Sequence, residues 1–410
     1  MKCPTTERDL SSGAAAVGSG RGRIWLAATC HLALFLFALY FGGISVVLPF
    51  LGKAFHLSTD VEGQLFPAGF AGFVIGVLLC GYLSDRWGRK IVLLIALGVY
   101  ALGLVLTSLV PVFSLVLMAA ALIGAGSGTI ETVASALAAD LFPERRALLL
   151  NSVQIAFGAG AAIGPFFAHF MLSHGANWRA LYMELAVGQL ALLILLAIQR
   201  VPPIPGLAES VDIGALMSVL RQPVFLALCL AQGLYVGAEV GFAAWMPTYF
   251  RDALPGGIVW EGIVVTIFWV AMTIGRVAVG PLIGRIPLLK LAILLSIGGA
   301  AGAFLATLWT SPWIVIACVA WTGLCFSGVF GLILAEAGAR YSRLAGSAFG
   351  GIVASGGIGG AVIPWTMAMI SGTTLHWRGA LLLIPAAITG VAIVLWLVSR
   401  KPEAANYFGE

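Results

Sequence analysis

Residues 124–165 of this chain read GAGSGTIETVASALAADLFPERRALLLNSVQIAFGAGAAIGP. The stretch consists of two long apolar segments, which are joined by a short charged turn at residues 142–146. One carboxylate, Glu131, lies inside the first segment, and one amide, Gln154, lies inside the second. A carboxylate is costly within an apolar segment of this kind, so its presence there indicates a functional role.

The composition of the whole chain indicates its class. Of the 410 residues, 60% are hydrophobic and only 10% are charged, whereas a soluble globular domain carries about a quarter charged residues. The chain is therefore predicted to be an all-α integral membrane protein. Its six cysteines and five histidines show no spacing typical of a metal or redox site. No metal and no cofactor are expected.

Twelve apolar segments are long enough to cross a membrane. Each has about 20 residues or more, which as a helix spans a hydrocarbon core about 30 Å thick. The predicted helices lie near residues 24–50, 60–84, 91–110, 112–140, 147–173, 177–199, 223–250, 258–283, 288–309, 312–340, 344–371 and 377–399.

One long polar connection divides the chain into two sets of six helices. It contains the sequence PPIPG and is predicted to be a cytoplasmic linker over residues 201–222. The predicted six-helix bundles cover residues 23–200 and 223–400. The polar residues 1–22 are expected to form a disordered cytoplasmic tail, and residues 401–410 a second tail.

The two halves repeat each other at a constant spacing along the chain. The matching positions are Gly76 and Gly275, Gly81 and Gly280, Arg86 and Arg285, Pro165 and Pro364, and Trp178-Arg179 and Trp377-Arg378. Two such repeats that flank one site at the membrane midplane are the architecture of alternating-access transporters.

The basic residues predict the orientation of the chain in the membrane. Most of the 22 Lys and Arg residues fall on one side if both termini are cytoplasmic, and cytoplasmic loops carry such an excess. This skew also accounts for the formal net charge of +5, so no nucleic acid partner is expected. The expected location is the inner or plasma membrane.

The turn between the second and third predicted helices carries the most specific motif, GYLSDRWGRK at residues 81–90. It resembles the signature loop of the major facilitator superfamily. The resemblance covers essentially the whole chain, and it implies a fold of twelve helices in two six-helix repeats and a transport function. The expected gate residues within the motif are Gly81, Asp85, Arg86, Gly88 and Arg89.

Further gate contacts are expected around this motif. Gly81 is expected to let a helix of the other half approach closely, and the arginines of the motif are expected to pair with an acid such as Asp140. Glu336, near the end of the tenth helix, is expected to pair with the intramembrane cation Arg276.

Within the superfamily, further stretches resemble the fucose-permease-like sugar:proton symporters. They are Glu131-Thr132, residues 150–165, residues 235–249 and Gly275-Arg276. This resemblance implies a sugar as the solute and the proton as the coupling ion. The chain departs from that family in its first helix, where Ser45 stands in place of an acid before Leu-Pro. An uncoupled facilitator therefore remains an alternative.

Glu131 and Glu239 are the expected proton carriers. Each lies near the middle of its predicted helix, one in each half, so both are expected close to the bilayer midplane. A carboxylate without a partner in an apolar surrounding favours its protonated form. The structural alternatives are a hydrogen bond between helices for Glu131 and a pairing with Arg276 for Glu239.

A set of polar and aromatic residues is expected to bind the solute. Asn151 and Gln154 are three residues apart and so share a helix face. The full set is Ser45, Asn151, Gln154, Tyr235, Trp245 and Trp269. The alternatives are hydrogen bonds between helices for the amides and anchoring at the membrane interface for the tryptophans.

Other functions are less well supported by the sequence. It contains no HExxH, GxSxG or P-loop motif, so no enzyme activity is expected. A drug or metabolite:proton antiporter is the main alternative, and it favours a larger, more aromatic cavity with fewer amides. A receptor that does not transport is a further alternative. The expected partners are a small-molecule solute, protons and the lipid bilayer, and the chain is expected to be a monomer.

Overall fold

The computed structural model describes residues 20–199, 221–341 and 345–401. Within these residues the chain is helical and contains no strand, and twelve of its helices are long and apolar enough to cross a membrane. The predictions of an all-α fold and of twelve spans are therefore confirmed. The spans are α1 (Gly22–Phe55), α2 (Thr59–Ser84), α3 (Arg89–Leu109), α4 (Phe113–Leu141), α5 (Leu149–Ser173), α6 (Trp178–Ile198), α7 (Pro223–Ala253), α8 (Val264–Leu282), α9 (Leu288–Leu308), α10 (Pro312–Arg340), α11 (Ala348–Ser371) and α12 (His376–Ser399).

The ends of some helices differ from the prediction. The first helix already begins at Gly20, so the predicted tail does not extend to residue 22, and its residues 1–19 lie outside the described part of the chain. The eighth helix begins at Val264 rather than near 258, because Gly256 adopts a left-handed conformation (φ 68°) and Gly257–Trp260 form a 3-10 turn. The predicted linker and the second tail lie outside the described residues, apart from residues 221, 222 and 401.

The repeat is visible in how the helices pack. Gly160 of α5 lies against the main-chain carbonyl of Phe35 in α1, and Gly359 of α11 lies against that of Gly233 in α7. No Cβ fits at either glycine, so both helix pairs approach as closely as their backbones allow. Close packing through small residues is typical of membrane helices, where no hydrophobic force holds the helices together.

The two halves meet along two seams. The α2–α11 seam and the α5–α8 seam each pair one helix of the first half with one of the second, and α1 also contacts α7. The turn around Gly88 defines one end of the bundle, which we call the 2–3 turn end. The other end is called the opposite end.

Contacts between the halves occur at the opposite end. The rings of Phe66 in α2 and Trp245 in α7 lie with their centroids 5.7 Å apart. The ring of His169 in α5 lies against Gly262, just before α8, where no Cβ fits. In the α2–α11 seam, a Cβ at Gly63 would lie 2.7 Å from Cβ of Ala368. Both seams are therefore closed at this end.

The halves are apart at the 2–3 turn end. No heavy atom of the described residues lies within 4 Å of the position that a Cβ would take at Gly81 of α2 or at Gly350 of α11. The expected close approach of another helix at Gly81 is therefore not found among the residues that the structure describes.

The 2–3 turn itself has the local structure that its sequence requires. Gly88 has a φ of 81°, a left-handed conformation that favours glycine, and it separates α2 from α3. Directly after it, Arg89 forms an ion pair with Asp140 at the end of α4. Arg86 is exposed, and its guanidinium donates to the hydroxyl of Tyr82 at 3.3 Å. The helix of α2 continues past its membrane span to Trp87 and includes Asp85. The side chain of Asp85 lies outside the described part of the structure.

Candidate functional site

A cavity of about 140 Å³ lies between the two halves. Its lining comes from α1, α2, α4 and α5 on one side and from α7, α8, α10 and α11 on the other. Helices from both halves therefore surround the same space.

Three charged side chains line this cavity in the described structure. Glu131 comes from α4, Glu239 from α7 and Arg276 from α8. Glu239 is buried, and Glu131 interacts electrostatically with both of the other two. The sequence places these residues far apart, and the fold brings them together. If all three are ionised, the cavity carries one net negative charge.

Arg276 reaches from the second half into the first. Its Nη1 donates a hydrogen bond of 2.9 Å to the main-chain carbonyl of Gln154 in α5. A Cβ at Gly158, one turn further along α5, would lie 2.7 Å from Oγ1 of Thr273 and 3.4 Å from Nη1 of Arg276. The lack of a side chain at Gly158 leaves the notch through which α8 makes this contact.

Glu336 does not pair with Arg276 as expected. Its Oε1 accepts a hydrogen bond of 2.6 Å from Nε of Arg340. The two residues are four apart on α10, the spacing at which side chains on one helix face meet. Arg340, on the same helix, therefore pairs with Glu336 in place of Arg276.

Of the two amides and the serine that were expected to bind the solute, one amide and the serine line the cavity, and the other amide does not. Gln154 and Ser45 line the cavity, and the hydroxyl of Ser45 donates to the carbonyl of Gly42 at 3.2 Å. Asn151 is exposed and is not among the residues that line the cavity. A spacing of three residues turns Asn151 by about 60° around the helix relative to Gln154, which is enough to leave the cavity face.

The three expected ring residues are buried in the helix packing beside the cavity rather than in its lining. The hydroxyl of Tyr235 donates to the carbonyl of Phe326 at 2.8 Å, and Nε1 of Trp245 donates to that of Pro364 at 2.9 Å. The polar groups of Tyr235 and Trp245 therefore bind main-chain carbonyls, whereas Nε1 of Trp269 is buried without a hydrogen-bond partner among the described residues. Trp269 packs against two residues that do line the cavity, with ring centroids 5.9 Å from Phe41 and 6.1 Å from Phe157.

A group of aromatic residues in the lining was missed by the sequence analysis. The group is Phe37, Tyr40, Phe41, Phe66, Phe70, Phe73, Phe157 and Phe330. All but Phe330 come from the first half. A signal did exist, because the three phenylalanines of α2 follow a helical spacing of four and three residues. The chain contains 23 phenylalanines, however, and that spacing alone does not tell a cavity face from a lipid face.

This arrangement suits the binding of a small organic solute beside an exchangeable proton. Carboxylates, an amide and a guanidinium offer hydrogen bonds, and the rings offer apolar faces. Across the described residues, no group of three or more His, Cys, Asp or Glu is arranged to hold a metal ion.

Comparison with known proteins identifies relatives along most of the chain. The model of the Major Facilitator Superfamily matches residues 30–364. The glucose/mannose transporter GlcP of Bacillus subtilis (strain 168) is 26% identical over 367 residues, which are 86% of this chain and 88% of that protein. Spinster homolog 1 of Xenopus laevis is 27% identical over 218 residues, or 50% of this chain and 41% of that protein. The chain thus matches less than half the length of that relative.

A solved structure has the same fold. The fucose:proton symporter of E. coli aligns with a TM-score of 0.69 and 20% sequence identity, over 93% of this chain and 100% of that chain. The chain resembles the fucose-permease-like sugar symporters in its fold, as the sequence motifs had indicated. With a family model that matches most of its length, the chain belongs to the major facilitator superfamily, and it is a membrane transporter rather than an enzyme.

Proposed function

We propose that the protein is a secondary active transporter that moves a small polar solute, in the first place a sugar, by proton-coupled symport. The observation that carries this proposal is the cavity between the halves, which Glu131 enters from one half and Glu239 and Arg276 enter from the other. A single central site between two repeats is what alternating access requires.

Glu131 is the proposed principal proton carrier, and Glu239 is the second candidate. Two carboxylates share the cavity with one guanidinium, and an unpaired charge is costly in such a surrounding. A single proton on either carboxylate makes the cavity electrically neutral. Loading and release of that proton is the proposed coupling step.

A sugar is the proposed solute for two reasons. GlcP, whose name describes it as a glucose/mannose transporter, matches 86% of this chain. The cavity also offers hydroxyl-directed groups on Glu131, Glu239 and Gln154, together with ring faces for the C–H surface of a pyranose. Phosphorylated or dianionic solutes usually require several basic residues, and Arg276 alone among the described lining residues is basic.

The aromatic lining favours a second candidate, the antiport of an amphipathic organic cation for protons. Eight aromatic residues border the cavity, and cations bind favourably over ring faces. The excess of one carboxylate also suits a monovalent cation. Uncoupled facilitation is the third candidate, because Ser45 replaces the acid that the symporters carry in the first helix.

The proposed location is the inner or plasma membrane, with both termini cytoplasmic and the chain acting as a monomer. The excess of Lys and Arg on the side of the termini supports this orientation. In that orientation the 2–3 turn end, where Gly81 and Gly350 have open space beside them, faces the cytoplasm.

Transport by purified protein in proteoliposomes tests the proposal. Labelled glucose, mannose and fucose are supplied outside, with and without an inwardly directed proton gradient, and empty liposomes are the control. We expect the gradient to drive accumulation of at least one of the sugars. Efflux of a cationic dye without sugar uptake would support the antiporter instead. Sugar uptake that equilibrates but ignores the gradient would support the facilitator.

A further inference from the structure

The α5–α8 seam changes its chemistry along its length. At the opposite end it consists of ring and glycine contacts, such as His169 against Gly262. Midway it contains the rings of Phe157 and Trp269. Nearer the 2–3 turn end it contains the hydrogen bond from Arg276 to the carbonyl of Gln154. The guanidinium of Arg276 thus lies in the part of the α5–α8 seam that is nearer the 2–3 turn end.

The partner of Arg276 is weaker than others within the same cavity. A main-chain carbonyl carries no net charge, whereas an ionised carboxylate adds the attraction of an opposite charge to the hydrogen bond. Glu239 and Glu131 line the cavity with Arg276, and both interact with it electrostatically. The guanidinium therefore has two competing kinds of partner, one across the seam and one in the cavity.

We propose that Arg276 is the positioning residue that links the charge of the cavity to closure of the α5–α8 seam. While one proton neutralises a carboxylate, Arg276 stays on the carbonyl of Gln154 and holds the seam shut. When that proton has left to the solution at the open end, Arg276 moves to the two ionised carboxylates. The seam then loses its polar contact and opens at the opposite end. This inference rests on the proposed proton coupling.

Other titratable groups need to be separated from this effect. Tyr235 lies beside Glu239 on α7, and its hydroxyl is bound to the carbonyl of Phe326. At the opposite end His169 belongs to the same seam. A group of interacting charges also lies at that end, formed by Glu62, Arg251, Asp252 and Glu261. Of these groups, His169 is the one that contacts the seam directly, so it requires its own variant.

The experiment measures the separation of the halves at the opposite end. Spin labels are placed at Ser173, at the end of α5, and at Ile258, before α8, both of which are exposed. The six native cysteines are replaced by serine, and the labelled full chain is studied in lipid nanodiscs without solute. The ratio of long to short distances reports the open and closed seam.

The expected result is a response to pH that depends on Arg276. In the otherwise unchanged protein the open fraction rises by about tenfold from acidic to alkaline pH, because ionised carboxylates withdraw Arg276. In Arg276→Gln, and in the double variant Glu131→Gln/Glu239→Gln, the ratio changes by less than about twofold. In His169→Gln the response stays as in the parent protein.

Glycine variants test the same contact without removing a charge. Gly158→Ala adds a methyl group into the notch beside Thr273 and Arg276, so we expect the seam to be more open at every pH. Gly331→Ala on α10 is the matched control, because no atom in the described part of the chain lies within 4 Å of the position of its Cβ. This pair keeps the test decisive if Arg276→Gln does not fold.

Three results would overturn the inference. They are an equal pH response in Arg276→Gln and the parent, a response that His169→Gln abolishes, and equal distances in the Gly158 and Gly331 variants. Failure of the proposed function has a different signature, namely solute uptake that is insensitive to a proton gradient in liposomes. The distance measurement needs no solute, so the two failures are distinguishable.

Discussion

Arg89 at the start of α3 and Asp140 at the end of α4 form an ion pair, although 51 residues separate them along the chain (140 − 89). The pair fastens the 2–3 turn to the helix that carries Glu131. Both side chains are largely buried, with exposed fractions of 16% and 11%. It lies at the 2–3 turn end of the bundle, so under the proposed alternating access it stands beside a surface that closes when the protein changes state.

Arg89→Ala is expected to impair transport while the protein remains folded in the membrane. Loss of the ion pair alters the relative stability of the alternating states rather than the contact with the solute. We expect the maximal rate to fall by about tenfold. Arg86→Ala is the matched comparison, because Arg86 is exposed and its described hydrogen bond is to Tyr82, one turn away on the same helix. Equal transport rates in the two variants would remove the special role of Arg89.

Glu131→Gln is expected to abolish accumulation driven by a proton gradient. The amide keeps the shape of the protonated carboxyl group but cannot release a proton. Exchange of solute across the membrane is expected to persist, since exchange needs no net proton release. Glu144→Gln is the control, because Glu144 is an exposed acid in the turn directly after α4. Gradient-driven accumulation that survives in Glu131→Gln would contradict its role as the proton carrier.

Phe157→Ala is expected to weaken solute binding. Phe157 lines the cavity and packs against Phe37, Phe41 and Trp269. A ring contact of this kind contributes about 0.5–1.5 kcal/mol, so the dissociation constant should rise by roughly twofold to twelvefold. Calorimetry with the transported solute measures the change.

The control for the Phe157 variant lies on the same helix. Phe166 is 57% exposed on the surface of α5, and Phe166→Ala should leave the dissociation constant unchanged. If both variants bind the solute as tightly as the parent protein, the aromatic lining does not contribute to binding.

Gly359→Ala is expected to destabilise the second half. The new methyl group would collide with the carbonyl of Gly233, which is part of α7 and cannot move independently. Overpacking of this kind costs about 1–3 kcal/mol. Gly350→Ala on the same helix meets no atom of the described residues within 4 Å and is expected to be neutral. The thermal unfolding midpoints of the two variants in detergent provide the comparison, and similar midpoints would refute the packing argument.

The sequence by itself determined the twelve spans and the transporter family. The length of an apolar segment and its depth in a bilayer are local properties of the chain, because each helix satisfies its own main-chain hydrogen bonds. For the same reason the sequence located Glu131 and Glu239 within their helices. Recurrence of Gly76 at Gly275 and of Pro165 at Pro364 likewise disclosed the two repeats without any knowledge of the packing.

Only the tertiary structure decided which side chains face the cavity. Asn151 and Gln154 share a helix, yet one is exposed and the other lines the cavity. The hydroxyl of Tyr235 is bound to a carbonyl of α10, whereas Phe157, which had no predicted role, borders the site. The face that a membrane helix presents to the cavity depends on its neighbours, since lipid and protein interior are equally apolar and hydrophobicity does not distinguish them.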